Sequence, residues 1–515
     1  MTGPAPYRSD RPIGPDRFTQ LLRAEWTKFR TVRGWAIGMA AAGVVTVLVS
    51  MLGAAGSRTG GGGDDAPWPT GPGGELVHDG FSFVHQPLEG DGAITVRVAS
   101  LDGEILSIGP DDEPTAGAHE WAKAGLIVKA GTEPGSAYAA VMVTPGHGVR
   151  MQHDFVHDEA GLPGAVTDSS PRWLRLSRSG DSLTGYESVD GERWTEVGTV
   201  RLAGLPSTVQ AGLFVTSPQF EETEQRLGMV TSNGGPTLAT ATFDHVDLTD
   251  GWSERTWRTD EVGGTTGGLE ESAGAFDRSG GTFRVSGSGD IGPAPAGPGG
   301  STIEKSLVGA FAGLIVVIVV GTMFMTAEYR RGLIRTTLAV SPRRGRVLAA
   351  KVLVLGGVTF VTGLVASTFA YWFVGRMRRG NGEAVLPVSS LTELRVVVGT
   401  AALLAVAAVL ALAVGTVLRR SAGAVTAVIV LLVLPYILAV SSVLPVVPAQ
   451  WLLRVTPAAA FAVQQSTPEY PQVAVAYLPS SGYYPLAPLA GFAVLCAWTG
   501  LALGLAAVLL RRRDA

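Results

Sequence analysis

Residues 306–351 read SLVGAFAGLIVVIVVGTMFMTAEYRRGLIRTTLAVSPRRGRVLAAK. The first 22 residues of this stretch contain no charged side chain, and the following 24 contain seven Arg or Lys residues. A helix of about 20 apolar residues is long enough to cross a bilayer. The stretch therefore predicts a transmembrane helix over residues 306–327, followed over residues 328–351 by a basic loop on one side of the membrane.

The rest of the chain contains further uncharged segments of similar length. They predict five more transmembrane helices, over residues 34–57, 352–375, 396–418, 421–447 and 486–510. The alternative for the first segment is a cleaved signal peptide. Its 24 uncharged residues exceed the usual apolar core of about 7–15 residues, which favours a retained helix. The mean hydropathy of +0.27 also argues against a water-soluble cytosolic enzyme.

The formal net charge of −4 is the sum of two regions of opposite charge. Residues 58–305 contain 36 acidic and 16 basic side chains, whereas the remainder of the chain contains 8 acidic and 24 basic. Cytoplasmic loops are enriched in Lys and Arg, and 19 of these 24 basic residues lie on one side if both termini are cytoplasmic. We therefore expect a multi-pass plasma-membrane protein with residues 58–305 outside. A disordered N-terminus (1–15) and a short tail (511–515) would lie in the cytoplasm.

The external region has a different residue pattern from the spans. Residues 58–74 are rich in Gly and Pro and predict a linker. Residues 75–249 contain many short alternating or β-branched runs, such as residues 173–178 (WLRLSR), which predict an antiparallel β-sandwich. Residues 250–305 are again rich in Gly, Ser and Pro and predict a return linker, in which residues 281–286 (GTFRVS) could add a strand near the membrane. The expected fold is a polytopic α-helical membrane protein of six transmembrane helices with an inserted extracellular all-β domain.

Residues 16–33, which precede the first span, show helical periodicity. Their apolar residues share one face at spacings of three and four, while most basic residues lie elsewhere. This pattern predicts an amphipathic helix at the membrane surface, with its cations near lipid phosphates. The alternative is a simple extension of the first span. The residues expected at the interface are Phe18, Leu22, Trp26, Lys28 and Phe29.

Three segments beside the first two spans carry a family resemblance. They are LLRAEWTKFRT (21–31), AEYRRGLIRTTL (327–338) and SPRRGRVLAAK (341–351). They resemble the permease subunits of ABC-2-type ATP-binding-cassette transporters, especially those of high-GC Gram-positive bacteria. The resemblance implies that the loop after the second span contains a coupling helix that docks on an ATPase. The docking residues would be Glu328, Tyr329, Arg330, Arg331 and Arg335. It also implies short re-entrant helices within residues 448–485.

The same resemblance implies an exporter permease and not an enzyme. The sequence contains no G-x-x-x-x-G-K-[ST] loop for ATP phosphates. ATP and Mg²⁺ would therefore bind to a separate cytoplasmic ATPase dimer, and this chain would hold no cofactor. A second permease subunit, identical or different, would complete the pathway in the lipid bilayer. The predicted spans contain no Asp, Glu, Lys, Arg or His, which argues against a proton- or ion-coupled carrier.

The external domain resembles a concanavalin A-like β-sandwich through residues 173–181, Gly185-Tyr186 and residues 190–194. That fold occurs in carbohydrate-binding proteins, glycosidases and scaffolds, so the fold alone does not identify the function. The alternative function is a membrane-anchored glycan-binding or sensor protein without transport activity. A glycosidase would need two carboxylates about 5–10 Å apart, and we expect Glu187 and Glu192 to be solvated instead.

His153, Asp154 and His157 form a cluster of metal-ligand residue types. Imidazole and carboxylate groups can bind a divalent cation, but a polar loop on an acidic surface accounts for the same residues, and we predict no metal site. The single cysteine, Cys496, lies in the last span and is expected only to pack there. The acidic exterior and the scattered arginines give no support to nucleic-acid binding.

Overall fold

The computed structural model describes residues 18–56, 68–106, 115–167, 170–226, 229–263, 275–294, 300–333, 343–441, 443–473, 475 and 477–512. They form a helical bundle and a β domain that is inserted after the second helix. The predicted N-terminal segment 1–15, most of the predicted linker (58–67) and the end of the tail (513–515) lie outside the described residues.

Within the described part of the chain, six helices are long and apolar enough to span a membrane. They are α2 (Arg33–Ala55), α3 (Gly309–Arg330), α4 (Arg344–Gly380), α5 (Ser390–Leu418), α6 (Ser421–Val440) and α8 (Pro488–Arg512). The shorter helices are α1 (Phe18–Thr31), which precedes the first span, and α7 (Val446–Val455), which lies between the last two. This arrangement agrees with the six membrane helices expected from the uncharged segments.

Two irregular segments follow α5. The helix α6 contains a π-helical turn, Ile429–Val433, and Pro435 follows after Leu434; both features interrupt regular helical hydrogen bonding. The predicted span 421–447 ends early, at Val440. After α7 the chain bends by 97° into a 3₁₀ helix, Pro457–Gln464. This bent pair lies where the resemblance implies re-entrant helices.

The bundle is held together by close contact between helices rich in small residues. A Cβ atom added to Gly321 of α3 would lie 2.5 Å from the carbonyl oxygen of Ala408 in α5. Small residues allow such close backbone approach between membrane helices. The central helix α5 is largely buried, whereas α2 and α8 keep large apolar side chains exposed, such as Leu52 and Leu501. Such exposed faces suit contact with lipid.

The β domain contains many short strands in the described residues. They are β1 (Val77–Asp79), β2 (Phe81–Glu89), β3 (Gly92–Ile105), β4 (Thr115–Ala116), β5 (Lys123–Lys129), β6 (Tyr138–Thr144), β7 (Gly148–His153), β8 (His157–Ala160), β9 (Arg172–Ser179), β10 (Ser182–Ser188), β11 (Thr195–Arg201), β12 (Thr208–Thr216), β13 (Phe220–Arg226), β14 (Met229–Gly235), β15 (Thr237–Thr249), β16 (Arg258–Val262), β17 (Phe276–Ser279), β18 (Thr282–Gly287) and β19 (Ile291–Pro293).

These strands form two large sheets around one apolar core. One sheet has the order β16–β2–β12–β5–β6–β7–β8, and the other has the order β11–β10–β9–β3–β15–β18–β17. Alternation directs one face of each strand inwards: in β9, Leu174 and Leu176 are fully buried while Trp173 and Arg175 are partly exposed. The expected inserted all-β domain is therefore present, and its concanavalin A-like identity stays a prediction.

The prediction of a return linker over residues 250–305 is wrong for much of its described part. In this range β16 pairs with β2, β18 pairs with β15, and β19 pairs with β1. The strand that the sequence allows at residues 281–286 is present as β18, whereas β16, β17 and β19 are short strands in Gly-rich surroundings that leave little periodic signal. Phe283 and Val285 of β18 enter the domain core, so this segment completes the domain instead of merely connecting it to the membrane.

The predicted coupling loop is also shorter than expected. Residues 328–330 are the last turn of α3, and residues 344–351 are the first two turns of α4. The predicted spans 352–375 and 396–418 lie inside the longer helices α4 and α5. Helices can extend past the uncharged run because long basic side chains near their ends reach the polar interface. Residues 334–342 lie outside the described residues.

The β domain sits against one end of the bundle. Strand β20 (Gly300–Ser301) pairs in parallel with β21 (Ala384–Val385), which follows α4. The Asn381 side-chain amide donates a 2.9 Å hydrogen bond to the carbonyl oxygen of Ala54, at the end of α2. Gln472 lies 3.3 Å from the carbonyl oxygen of Val156 in the β domain. The strand pairing and the Gln472 contact therefore connect the bundle to the domain, and the Asn381 bond ties α2 to the end of α4 at the same place.

Candidate coupling site

Helix α1 packs against the bundle at the end opposite the β domain. Phe29 is buried, and its ring centre lies 6.0 Å from that of Phe324 in α3. Trp26 is 49% exposed, while Phe18 and Leu22 are partly buried. The apolar residues expected to share the membrane interface are thus divided between the bundle and the outside. The placement of this helix at a lipid surface stays a prediction.

Four charged side chains join α1, α3 and α4 at this end. Lys351 of α4 donates hydrogen bonds to Glu25 Oε2 of α1 at 2.8 Å and to Glu328 Oε1 of α3 at 2.6 Å. Lys28 of α1 also forms an ion pair with Glu328 Oε1. We call these residues the charge cluster. It holds two carboxylates and two ammonium groups, so its charges balance.

The charge cluster is almost fully enclosed. The Lys351 side chain has no exposed surface, the two carboxylates are 4–6% exposed, and the Lys28 side chain is 31% exposed. The Lys351 ammonium also lies 5.0 Å from the centre of the Phe324 ring, a favourable cation–π arrangement. A buried charge that loses its partner is strongly destabilising. The three helix ends are therefore tied to one another as long as the cluster is complete.

The structure places the five predicted docking residues in different environments. Glu328 is buried in the charge cluster, so its carboxylate is not available at the surface. Tyr329 is partly buried, and its ring centre lies 5.0 Å from the Arg419 guanidinium at the end of α5. Arg330 and Arg331 are exposed. Arg335 lies outside the described residues.

Sequence reasoning missed Glu25 and Lys351 as members of this site. Both residues stand inside the segments that carry the family resemblance, but a single sequence does not show that they meet. The available signal was the isolated carboxylate of Glu25 in an otherwise basic helix. Such a group needs a partner if its face of the helix is buried.

Comparison with protein-family models identifies the family to which the chain belongs. A family model described as ABC-2 family transporter protein matches residues 167–515. The chain belongs to the ABC-2 transporter family. The match includes α3 to α8 and the second half of the β domain, whereas α1, α2 and strands β1 to β8 precede it. The family thus covers Glu328 and Lys351 of the charge cluster.

Comparisons with individual proteins add little to this family assignment. No match was found among curated protein sequences. A functionally unknown protein from Saccharomyces cerevisiae of solved structure is 15% identical, with a TM-score of 0.20, and the alignment covers 36% of this chain and 84% of that protein. Scytalido-glutamic peptidase with a transition-state analog inhibitor is 10% identical, with a TM-score of 0.26, and the alignment covers 40% of this chain and 98% of the peptidase.

A cavity of about 270 Å³ lies beside the charge cluster of this ABC-2 transporter. Its apolar wall includes Trp35 at the start of α2 and Met323 and Phe324 near the end of α3. Lys28, Arg330, Arg331 and Glu328 are its charged residues. The cavity therefore combines an apolar wall with a basic rim at one helix end.

The histidine cluster of the β domain forms a hairpin rather than a closed ligand set. His153 of β7 lies opposite His157 of β8, and their rings stack with centres 4.3 Å apart. Asp154 lies in the turn, with its carboxylate 4.0 Å from His153 Nδ1. Within the described residues, no group of three or more His, Cys, Asp or Glu side chains is placed to hold a metal ion.

The expectation that Glu187 is solvated is wrong. Glu187 is 1% exposed, and its Oε1 accepts a 2.6 Å hydrogen bond from the backbone N–H of Leu162. Burial raises the pKa of this carboxyl. Glu192 is exposed, as expected. Glu187 and Glu192 therefore lie in different environments, and the Glu187 carboxylate is held by the backbone N–H of Leu162.

Proposed function

We propose that this ABC-2 family member is the permease subunit of an ATP-driven exporter in the plasma membrane. A separate cytoplasmic ATPase dimer would bind ATP and Mg²⁺, and a second permease subunit, identical or different, would complete the pathway. Family membership and the six apolar helices support the transport role. The missing phosphate-binding loop in the sequence supports the need for an ATPase chain.

The observation that carries this proposal is the charge cluster. It ties α1, α3 and α4 together close in sequence to residues 331–333 and 343, the described ends of the segment where the ATPase would dock. A force on this segment or on α1 would therefore reach all three helix ends at once. Helix α4 has 37 residues, which at 1.5 Å per residue span about 55 Å. Its far end contacts the β domain, so movement at the docking end can be transmitted across the membrane.

Basic residues at the same end support a cytoplasmic location for it. The Arg344 guanidinium contacts the carbonyl oxygen of Leu510 in α8, and Arg419 stacks on Tyr329. These contacts bring the basic ends of α3, α4, α5 and α8 together. Because cytoplasmic loops carry an excess of Arg and Lys, we propose that this end faces the cytoplasm and that the β domain lies outside.

Co-purification with the ATPase encoded beside this chain tests the proposal. We expect a stable complex and ATPase activity that changes when the permease is present. Arg335→Glu should weaken capture of the ATPase because it reverses a charge in the docking segment. Arg420→Glu is the matched control, since Arg420 is an exposed arginine at the same end. No complex with the native chain, or equal capture by both variants, would contradict the docking role.

A second candidate function, glycan binding by the β domain, is favoured by one groove. A cavity of about 400 Å³ on the outer side of the second sheet is lined by Tyr186, Trp194, Arg175 and Asp250. Arg175 and Asp250 form a 2.6 Å ion pair there. Aromatic faces with a few convergent polar groups are typical of ligand sites. If this candidate is correct, the full chain binds soluble cell-wall fragments without any ATPase, and Trp194→Ala abolishes that binding.

A further inference from the structure

We propose that the cavity beside the charge cluster is a binding site for one anionic phospholipid of the leaflet that faces this end. The lipid phosphate would lie at Lys28, Arg330 and Arg331, and an acyl chain would lie along Trp35, Met323 and Phe324. We call this cavity the lipid site. The inference rests on the proposed membrane orientation and extends it to a specific ligand class.

The charges around the lipid site leave a surplus of positive charge. Glu25 and Glu328 are balanced by Lys28 and Lys351 within the charge cluster. Arg330 and Arg331 follow directly in sequence, and neither forms an ion pair with any residue that the structure describes. The local surplus is therefore two positive charges. A phosphodiester headgroup has the opposite sign and accepts hydrogen bonds from guanidinium groups.

The shape of the lipid site also fits a lipid rather than a free anion. The Trp35 ring packs edge-on against Phe324, with centres 5.6 Å apart, and forms an apolar wall directly below the basic rim. Trp residues are enriched at the membrane–water interface, where an apolar body meets polar headgroups. A small anion such as phosphate would leave this wall uncovered.

Gly34 makes the volume of the lipid site testable. It lines the cavity, and a Cβ atom added to it meets no other atom within 4 Å. The position therefore has open space for a side chain, and we expect a leucine there to occupy part of the cavity. Gly34→Leu should exclude an acyl chain while leaving Arg330 and Arg331 in place.

Quenching of Trp35 fluorescence by lipids with brominated acyl chains tests the lipid site. The full chain is reconstituted in bilayers with brominated phosphatidylglycerol or brominated phosphatidylcholine, and the Trp35 signal is obtained as the difference between the native chain and Trp35→Phe. We expect stronger quenching by phosphatidylglycerol. Excess inorganic phosphate should not remove the difference between the two lipids, because the acyl chain also contacts the apolar wall; its loss would assign the basic residues to a free anion.

Two kinds of variant test the basic residues and the volume of the lipid site separately. Each basic side chain near an anionic surface strengthens binding about fivefold, so Arg330→Gln with Arg331→Gln should reduce the preference for phosphatidylglycerol roughly 25-fold. Arg511→Gln with Arg512→Gln is the matched control, because these exposed arginines end α8. Gly34→Leu should reduce quenching by both lipids.

Two results would overturn the lipid site. The first is equal quenching of the native chain by both lipids. The second is a preference for phosphatidylglycerol that survives the double Arg330 and Arg331 variant. The measurement contains no ATPase, so its failure leaves ATPase docking standing. Loss of ATPase capture in that double variant, without any lipid preference in the native chain, would instead assign the two arginines to the ATPase.

Discussion

Replacing Lys351 with methionine should destabilise the bundle more than any other single loss of charge at this end. Methionine keeps much of the side-chain volume but removes the ammonium group that contacts Glu25 at 2.8 Å and Glu328 at 2.6 Å. Two buried carboxylates would then share Lys28 as their remaining partner in the cluster. Removing one partner of a buried ion pair typically costs about 3–5 kcal/mol.

Thermal unfolding of the full chain in detergent measures this effect. A change of 1 kcal/mol shifts the midpoint by about 2–4 °C for a unit of 150–250 residues, so Lys351→Met should lower it by roughly 10 °C. Arg376→Met is the matched control, because Arg376 is an exposed cation on the same helix. Exposed substitutions of this kind usually change stability by less than about 0.5 kcal/mol.

A neutral version of the charge cluster separates lost charge balance from lost packing. The variant with Lys351→Met, Glu25→Gln and Glu328→Gln contains no unpaired buried carboxylate. It should therefore recover much of the stability that Lys351→Met loses. The reasoning is refuted if Lys351→Met costs less than about 1 kcal/mol, or if the neutral variant is no more stable than Lys351→Met.

Three further predictions follow from other contacts. Gly321→Ala should lower the free energy of unfolding by about 1–3 kcal/mol, because the new Cβ would lie 2.5 Å from the Ala408 carbonyl oxygen. Gly504→Ala is the control, since a Cβ atom there meets open space. Equal unfolding midpoints for the two variants would contradict the prediction. Burial raises the pKa of the Glu304 carboxyl above its ordinary value of 4.5. The folding stability linked to this shift is therefore fully present below pH 4.5 and is lost as the pH rises through the pKa of the folded state. Glu304→Gln should flatten this pH dependence of unfolding, and unchanged curves would count against it. Arg378→Gln should speed amide exchange in β20 and β21, because Arg378 is buried beside them; unchanged exchange would show that this contact does not secure the domain.

Much of the architecture could be predicted because membrane burial leaves a strong signal in a single sequence. Uncharged, largely apolar runs of more than twenty residues are typical of membrane-spanning helices, and alternating runs indicated the inserted β domain. The return segment was predicted mainly as a linker because its short strands are surrounded by Gly and Ser residues. The alternating run at residues 281–286 indicated a possible strand, but its partner β15 is identified only by the fold. Periodicity detects a strand but not the strand that it joins.

The candidate site was only partly predictable for a related reason. The sequence pointed to Glu328 as a surface docking residue, whereas the structure buries it with Glu25 and Lys351. The hydrogen-bonded pairs are separated by 326 and 23 residues along the chain. Such meetings depend on how helices pack, which a single sequence does not specify. Glu187 is a similar case, since the backbone N–H that it accepts from belongs to Leu162, 25 residues away along the chain.

The pairing of β1 with β19 has a consequence for biosynthesis. Val77 lies opposite Pro293, so about 215 residues must be made between the first strand and its partner. At about 5–20 residues per second this takes roughly 10–40 seconds. On the proposed topology, the external chain remains incomplete during this time, and the two-stranded sheet of β1 and β19 forms only shortly before the second membrane helix is made. A variant that delays insertion of that helix would therefore expose an unfinished domain to surface proteases, even though the substitution lies in the membrane.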